Sequence, residues 1–159
     1  MIRIRLETRI GARREACFAL SLSVDAHSAS MAGSRERAVA GVTEGEMGDG
    51  DTVTWSARHF GLPWRMTSRI SEYRPLDCFV DEQVSGPFRR WRHEHRFEPV
   101  GSGGAETLMI DLVEFEAPLG PLGRIAERSV LRRYMAGLLR DRNRWLREEL
   151  EARGVQRDP

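Results

Sequence analysis

The sequence predicts an α+β fold in which a curved antiparallel sheet of about seven strands wraps around one long C-terminal helix, with one or two short helices after the first strand. Three observations predict it. Residues 51–116 read as consecutive segments of period-two alternation joined by short turns bearing glycine or proline, which calls for a meander. Ile2, Ile4 and Leu6 alternate with Arg3, Arg5 and Glu7, which makes a separate first strand with one apolar face. The C-terminal segment instead places Leu131, Tyr134, Met135, Leu138, Leu139, Trp145 and Leu146 on one helical stripe, with Arg132, Arg133, Arg140, Glu148 and Glu149 mostly off it. A long helix with such a stripe must be covered on one side.

The elements follow in order. From Ala12 to about Ala32 apolar residues come at helical spacing (Ala16, Ala19, Leu20, Val24), and serines weaken the pattern, so short helices with a break near Asp25 are expected. Residues 33–51 hold five glycines, a weak strand around Val39–Val42 and a turn at Gly48-Asp49-Gly50-Asp51. Strands are predicted over 51–60, with Val53, Trp55, Ala57 and His59 on one face, over 64–73 after a Gly61-Leu62-Pro63 connector, over 78–84, over 88–98 after Gly86-Pro87, and over 107–116 after the loop Gly101–Gly104. Ala117-Pro118-Leu119-Gly120-Pro121-Leu122-Gly123 breaks the chain before the helix.

Composition bounds the function. With 159 residues, 25 basic and 24 acidic side chains, the chain has room for one domain, expected over 1–152, with a disordered tail at 153–159. A chain of this size buries roughly two-thirds of its unfolded surface, enough to hollow out part of a core for a ligand. The formal net charge of +1 offers no field for a polyanion, which argues against nucleic-acid binding. All 25 cations are arginine, which reads as base composition. Cys17 and Cys78 make neither a disulfide framework nor a zinc cluster and are expected as reduced core thiols. No apolar run is long enough for a membrane span. Arg13 and Arg14 before Cys17–Leu22 mimic a signal peptide, but Glu7, Glu15 and the serines interrupt the pattern, so a cytoplasmic location is expected.

Phe60-Gly61-Leu62-Pro63-Trp64, Phe79-Val80-Asp81-Glu82-Gln83, Gly86-Pro87-Phe88, Trp91-Arg92-His93-Glu94-His95 and Pro118–Gly123, in this element order, resemble the bacterial SRPBCC proteins. These form the START and birch-pollen-allergen-like helix-grip superfamily, which includes polyketide cyclases and dehydratases and lipid-transfer domains. The likeness covers essentially the whole chain and is strongest over 52–146. It implies a seven-stranded sheet gripping the C-terminal helix around a pocket for a hydrophobic or amphipathic molecule. The superfamily contains enzymes, carriers and sensors, so the fold does not choose among them. The chain departs at Gly11-Ala12-Arg13, where such proteins commonly carry alanine-proline before the first helix, and in its serine-rich helical region.

The strand 88–98 is the most informative segment. Alternation puts Trp91, His93, His95 and Phe97 on the covered face and Arg90, Arg92, Glu94, Arg96 and Glu98 on the other. A covered imidazole needs a hydrogen-bond partner or a ligand. If the next hairpin centres near Ser102, His93 faces Asp111 and His95 faces Met109, with Val113 and Phe115 on the same surface. A carboxylate there would orient His93 and raise its basicity, as in a general base. The plain alternative is a set of satisfied polar groups in a partly wet core. A metal site on His93, His95 and Asp111 lacks an assured third ligand, so neither metal nor other cofactor is expected.

Trp55, Trp64, Met66 and Trp91 either line a pocket or pack the core, and from the helix Tyr134 and Leu138 are candidate lining residues. Arg142 falls near the stripe, where it binds a carboxylate or snorkels, and snorkelling is the preferred reading. The inward face of 78–84 depends on the turn: a two-residue turn pairs Glu82 with Trp91, and a three-residue turn pairs Gln83 with Trp91 and Asp81 with His93. The second, which turns Phe79 inward, is preferred, although Val80 and Val84 argue against it.

These readings support a ligand-binding module for a small hydrophobic molecule, acting as monomer or homodimer. The alternatives are a cyclase- or dehydratase-like enzyme using His93 as base with Asp111, and a partner-binding regulator that leaves no trace in the sequence. Phosphate-binding glycine motifs, nucleophile elbows and paired cysteine motifs are absent from the sequence.

Overall fold

The computed structural model describes residues 1–116 and 130–155. Strands β1 (Ile2–Ile10), β2 (Arg37–Gly41), β3 (Thr52–His59), β4 (Leu62–Arg74), β5 (Cys78–Ser85), β6 (Arg90–Val100) and β7 (Glu106–Glu116) form one antiparallel sheet. Helices α1 (Arg14–Leu22) and α2 (Val24–Ser30) follow β1, and α3 (Arg132–Val155) closes the chain. The sheet order is β1-β7-β6-β5-β4-β3-β2, so six strands run as a meander and β1 closes beside the last of them. The predicted break Pro118–Gly123 lies outside the described residues. The helix continues through residues 153–155, part of the expected tail, and 156–159 lie outside the description.

Two boundaries and one helix face differ from the sequence reading. The two short helices separate at Ser23 rather than Asp25, because Ser23 is extended and its hydroxyl accepts from Ala26 N–H at 3.1 Å, capping α2. The buried face of α1 is Cys17, Phe18, Leu20 and Leu22, while Ala16 is exposed. The connector after β3 is the two-residue turn Phe60-Gly61, both at positive φ (53° and 76°), so Leu62 and Pro63 belong to β4. Such a mirror-image turn matches the twist of its strands. Pro63 pairs with Arg58 of β3 and is tolerated because β5 joins β4 only from Thr67 onward, so among the described residues no strand pairs on its other side to demand its missing N–H.

The core divides into two apolar clusters with a polar belt between them. One cluster gathers Ile2, Ile4, Trp91, Val113, Phe115, Ala136 and Leu139. The other gathers Ile10, Phe18, Leu22, Phe79, Phe97, Met109, Leu146 and Leu150, with Phe18 edge-on to Tyr73, Phe79 and Phe97. Each long element crosses from one cluster to the other through a polar step: Trp91 to Phe97 through His93 and His95, Phe115 to Met109 through Asp111, and Leu139 to Leu146 through Arg142 and Asn143. On the outer face of β6, Arg92 and Arg96 clamp the buried Glu94 at 2.8 and 2.5 Å. Cys17 and Cys78 are free buried thiols, and burial pushes Cys17 up from its ordinary pKa.

Candidate functional site

The belt is built by register. β5 pairs with β6 so that Asp81 lies opposite His93, as the three-residue-turn reading expects, and Phe79 turns inward to stack on His95 at 4.3 Å. β6 pairs with β7 so that His95 lies opposite Asp111 and His93 opposite Val113. The expected pairing of His93 with Asp111 and of His95 with Met109 is therefore displaced by two residues. The reason is the hairpin, which spans Gly101–Ala105 with Gly101, Gly103 and Gly104 at positive φ, and so centres one residue later than assumed. A two-residue displacement keeps every side chain on its face.

His93 nonetheless reaches Asp111 diagonally, with Nε2 at 2.8 Å from Oδ1. His95 Nδ1 stands 3.1 Å from the same oxygen, yet off the direction a hydrogen bond needs, and among the described residues it is a buried nitrogen without a partner. The two imidazole rings lie 3.7 Å apart. Asp111 is fully buried, and its Oδ2 accepts from Asn143 Nδ2 at 2.7 Å. The second hydrogen of that amide goes to Thr8 Oγ1 at 3.1 Å, and Asn143 Oδ1 accepts from Arg142 Nη1 at 3.1 Å.

Burial penalises charge on both members of the pair. It lowers His93 to a pKa of about 4, with the neighbouring His95 acting in the same direction and Asp111 unable to compensate. Asp111 goes the other way: burial alone would raise it, but the hydrogen bond from His93 and the His95 ring outweigh burial and hold it well below the usual carboxylate range. His93 is thus neutral at physiological pH and donates Nε2–H to the carboxylate, which leaves the lone pair on Nδ1. Asp111 does push His93 upward, as expected, but burial and the neighbouring His95 outweigh it.

Above the belt lies a cavity of about 120 Å³ between the sheet and α3. Of the residues expected to line it, Trp55, Trp64, Met66, Asp81, Trp91, His93, His95, Tyr134 and Leu138 do so. Gln83, Val113 and Phe115 do not. Gln83 spends its amide on the turn, donating to Phe88 O at 2.7 Å and accepting from Phe88 N–H at 3.2 Å, while Val113 and Phe115 are packed inside an apolar cluster. Asp111 stands behind His93 and is not among the residues that line the cavity.

Arg142 corrects the snorkelling reading. It is 4% exposed, lines the cavity and brings Nη1 to 3.6 Å from Asp111 Oδ1, because its place on α3 faces the belt and not the helix edge. Asn143 was not anticipated, although a signal existed: it sits four residues after Leu139 and three before Leu146, inside the stripe. His27 and Glu36 were also missed. They pair at 3.1 Å on the cavity wall, with the His27 ring 4.2 Å from Trp55. At the tip of β3–β4, His59 Nδ1 meets Tyr134 Oη at 2.8 Å, and Phe60, more than half exposed, lies 4.5 Å from the Tyr134 ring. Burial lowers His59 and raises Tyr134.

A sheet gripping a helix around such a cavity is the arrangement that the sequence resemblance implies, and the family comparison decides the matter: residues 1–151 match the model described as polyketide cyclase / dehydrase and lipid transport. The chain belongs to that family. Solved structures with the same fold as this polyketide cyclase / dehydrase family member include TTHA0849 from Thermus thermophilus, with 18% identity over 95% of this chain and 98% of that one and a TM-score of 0.77. The Zhui aromatase/cyclase from Streptomyces sp. R1128 shares 13% identity over 96% and 94%, with a TM-score of 0.75. A START superfamily protein from Mycobacterium smegmatis shares 12% over 94% and 97%, with a TM-score of 0.71. At these identities the likeness speaks to the fold of the family member and not to its ligand. No curated protein matches it. Among the described residues no helix is long and apolar enough to cross a membrane.

Proposed function

We propose that the protein encloses a compact, ring-bearing amphipathic molecule between the sheet and α3. The observation that carries this reading is a cavity with apolar walls (Trp55, Trp64, Trp91, Met66, Leu138) and one polar end (Asp81, His93, His95, Arg142). Aromatic walls favour a flat apolar body, and convergent polar groups fix one orientation. Size decides the class. Sites for drug-sized ligands run to roughly 300–1,000 Å³, so a cavity of about 120 Å³ favours one or two rings over a sterol or a long acyl chain. Tryptophan quenching by a panel of one- and two-ring phenols and hydroxyaryl acids, set against sterols and long-chain fatty acids, tests it. Preference for the small aromatic members supports the reading, and no binding below millimolar by any member refutes it.

A second reading has a specific observation in its favour. Asp111 holds His93 in one tautomer, with Nδ1 free to take a proton next to a carbonyl of a bound molecule, in keeping with the cyclase and dehydrase chemistry of the family. A conjugate acid of pKa about 4 makes a weak base, which ranks catalysis behind binding. In His93→Ala, an enzyme loses turnover and keeps affinity, whereas a carrier changes only modestly in affinity.

A further inference from the structure

We propose that Asp81, His93 and His95 form a binding site for one divalent transition-metal ion at the polar end of the cavity. One ligand atom from each lies within 4.8 Å of the other two. Two bonds of about 2.1 Å span at most about 4.2 Å, and His95 Nε2 is already 3.9 Å from Asp81 Oδ2, within that reach. The remaining closure is about half an ångström, a side-chain adjustment at the lining of a cavity.

The backbone fixes this set. His93 and His95 share a face of β6, and Asp81 is the register partner of His93 on β5. The sequence reading sought a third ligand in Asp111 on β7; the structure offers Asp81 from the opposite side and leaves Asp111 for another task.

That task is the outer layer a metal centre needs, in which a ligating histidine gives its other ring nitrogen to a carboxylate. Asp111 Oδ1 takes His93 Nε2–H at 2.8 Å and stands 3.1 Å from His95 Nδ1, a nitrogen without a hydrogen-bond partner among the described residues that a small turn of the ring would bring onto this oxygen. Trp91 Nε1–H donates to Asp81 Oδ1 at 3.3 Å, which leaves Oδ2 for the ion. Asn143 and Thr8 in turn brace Asp111 and its partner amide.

Charge points the same way. Among the described residues, the arginine that approaches this acidic pair is Arg142, whose carboxylate contact is with Asp111 at 3.6 Å and not with Asp81. A divalent ion offsets the surplus negative charge beside Asp81. Two imidazoles and one carboxylate suit Zn²⁺, Fe²⁺ or Co²⁺ better than Mg²⁺ or Ca²⁺. With three protein ligands, the open positions face the cavity, where the ion can polarise an oxygen of a bound molecule.

The test uses untagged full-length protein stripped with a chelator and titrated with Co²⁺ by visible absorption and with Zn²⁺ by calorimetry. The proposal expects one ion per chain at micromolar affinity, a visible cobalt spectrum with nitrogen ligation, and a loss of about tenfold or more in His95→Ala and in the near-isosteric Asp81→Asn. Absence of binding by the wild-type protein below millimolar metal overturns it, as does binding that persists unchanged in Asp81→Asn. If His95→Ala fails to fold, the wild-type titration and Asp81→Asn still decide.

Discussion

Asn143 on α3 donates its amide to Asp111 on β7 at 2.7 Å, and this bond ties the gripped helix to the carboxylate that holds His93. Asn143→Leu leaves a buried carboxylate oxygen short of a donor and costs about 1–3 kcal/mol. Asp111→Ala costs more, about 3–5 kcal/mol, since it strands the buried Arg142 without its acidic partner. Urea unfolding of the two variants gives both values, and equal, negligible losses contradict the assignment.

The grip itself depends on apolar contact either side of that belt. Leu146 is 2% exposed in the cluster that joins α3 to the sheet and to α1, so Leu146→Ala is expected to cost about 2–5 kcal/mol. Arg144, on the solvent face and paired with Asp141 at 3.2 Å, is the control: Arg144→Ala changes stability by less than about 0.5 kcal/mol. Thermal melts distinguish them.

Gly41 and Gly45 separate two costs of a side chain. Both have positive φ, 74° and 75°, but a Cβ at Gly41 would sit 2.2 Å from the Thr52 carbonyl oxygen, whereas nothing lies within 4 Å of one at Gly45. Gly45→Ala therefore costs about 1–2 kcal/mol from backbone conformation alone. Gly41→Ala costs clearly more, because β2 must move away from β3. Comparable denaturation midpoints for the two variants would count against the β2–β3 register.

The alternation of β1, β3 and β6 was legible because each has one covered face, and period two then names the inward residues. The histidines of β6 were legible for the same reason. Their pairing was not: a hairpin with three glycines at positive φ moves its centre by a residue without changing the faces, so Asp111 slides from His93 to His95 while the diagonal contact survives. Arg142 and Asn143 were misread or missed because polar residues inside an apolar stripe look like its edge until the opposite carboxylate is placed. Gln83 looked like a lining residue because strand period carries no information on a side chain that folds back onto its own turn.

Acid should unfold the metal-free protein in two stages. His93 falls from 6.5 in the unfolded chain to about 4 in the folded one, so the unfolded state takes the proton first. Stability is then full above about pH 6.5 and lost as the pH falls toward 4, by on the order of 3 kcal/mol for this group. His59, also lowered by burial, acts with the same sign. Asp81 and Asp111, both lowered, retain their contribution above the carboxylate range and lose it at more acid pH. Urea titrations in chelator between pH 8 and 4 should show this slope, flattened in its upper part by His93→Gln.

Whether the hollow between sheet and α3 receives a small ring-bearing molecule is tested most directly by filling it. Leu138 is half-buried on α3 and lines the cavity, so Leu138→Trp occupies the space with little change to the cores on either side. Calorimetry with the best one- or two-ring phenol of the quenching panel is predicted to give one binding event per chain, weakened by about tenfold or more in a variant that melts like the parent. Equal affinity in the filled variant, or no heat from either protein, would contradict the account.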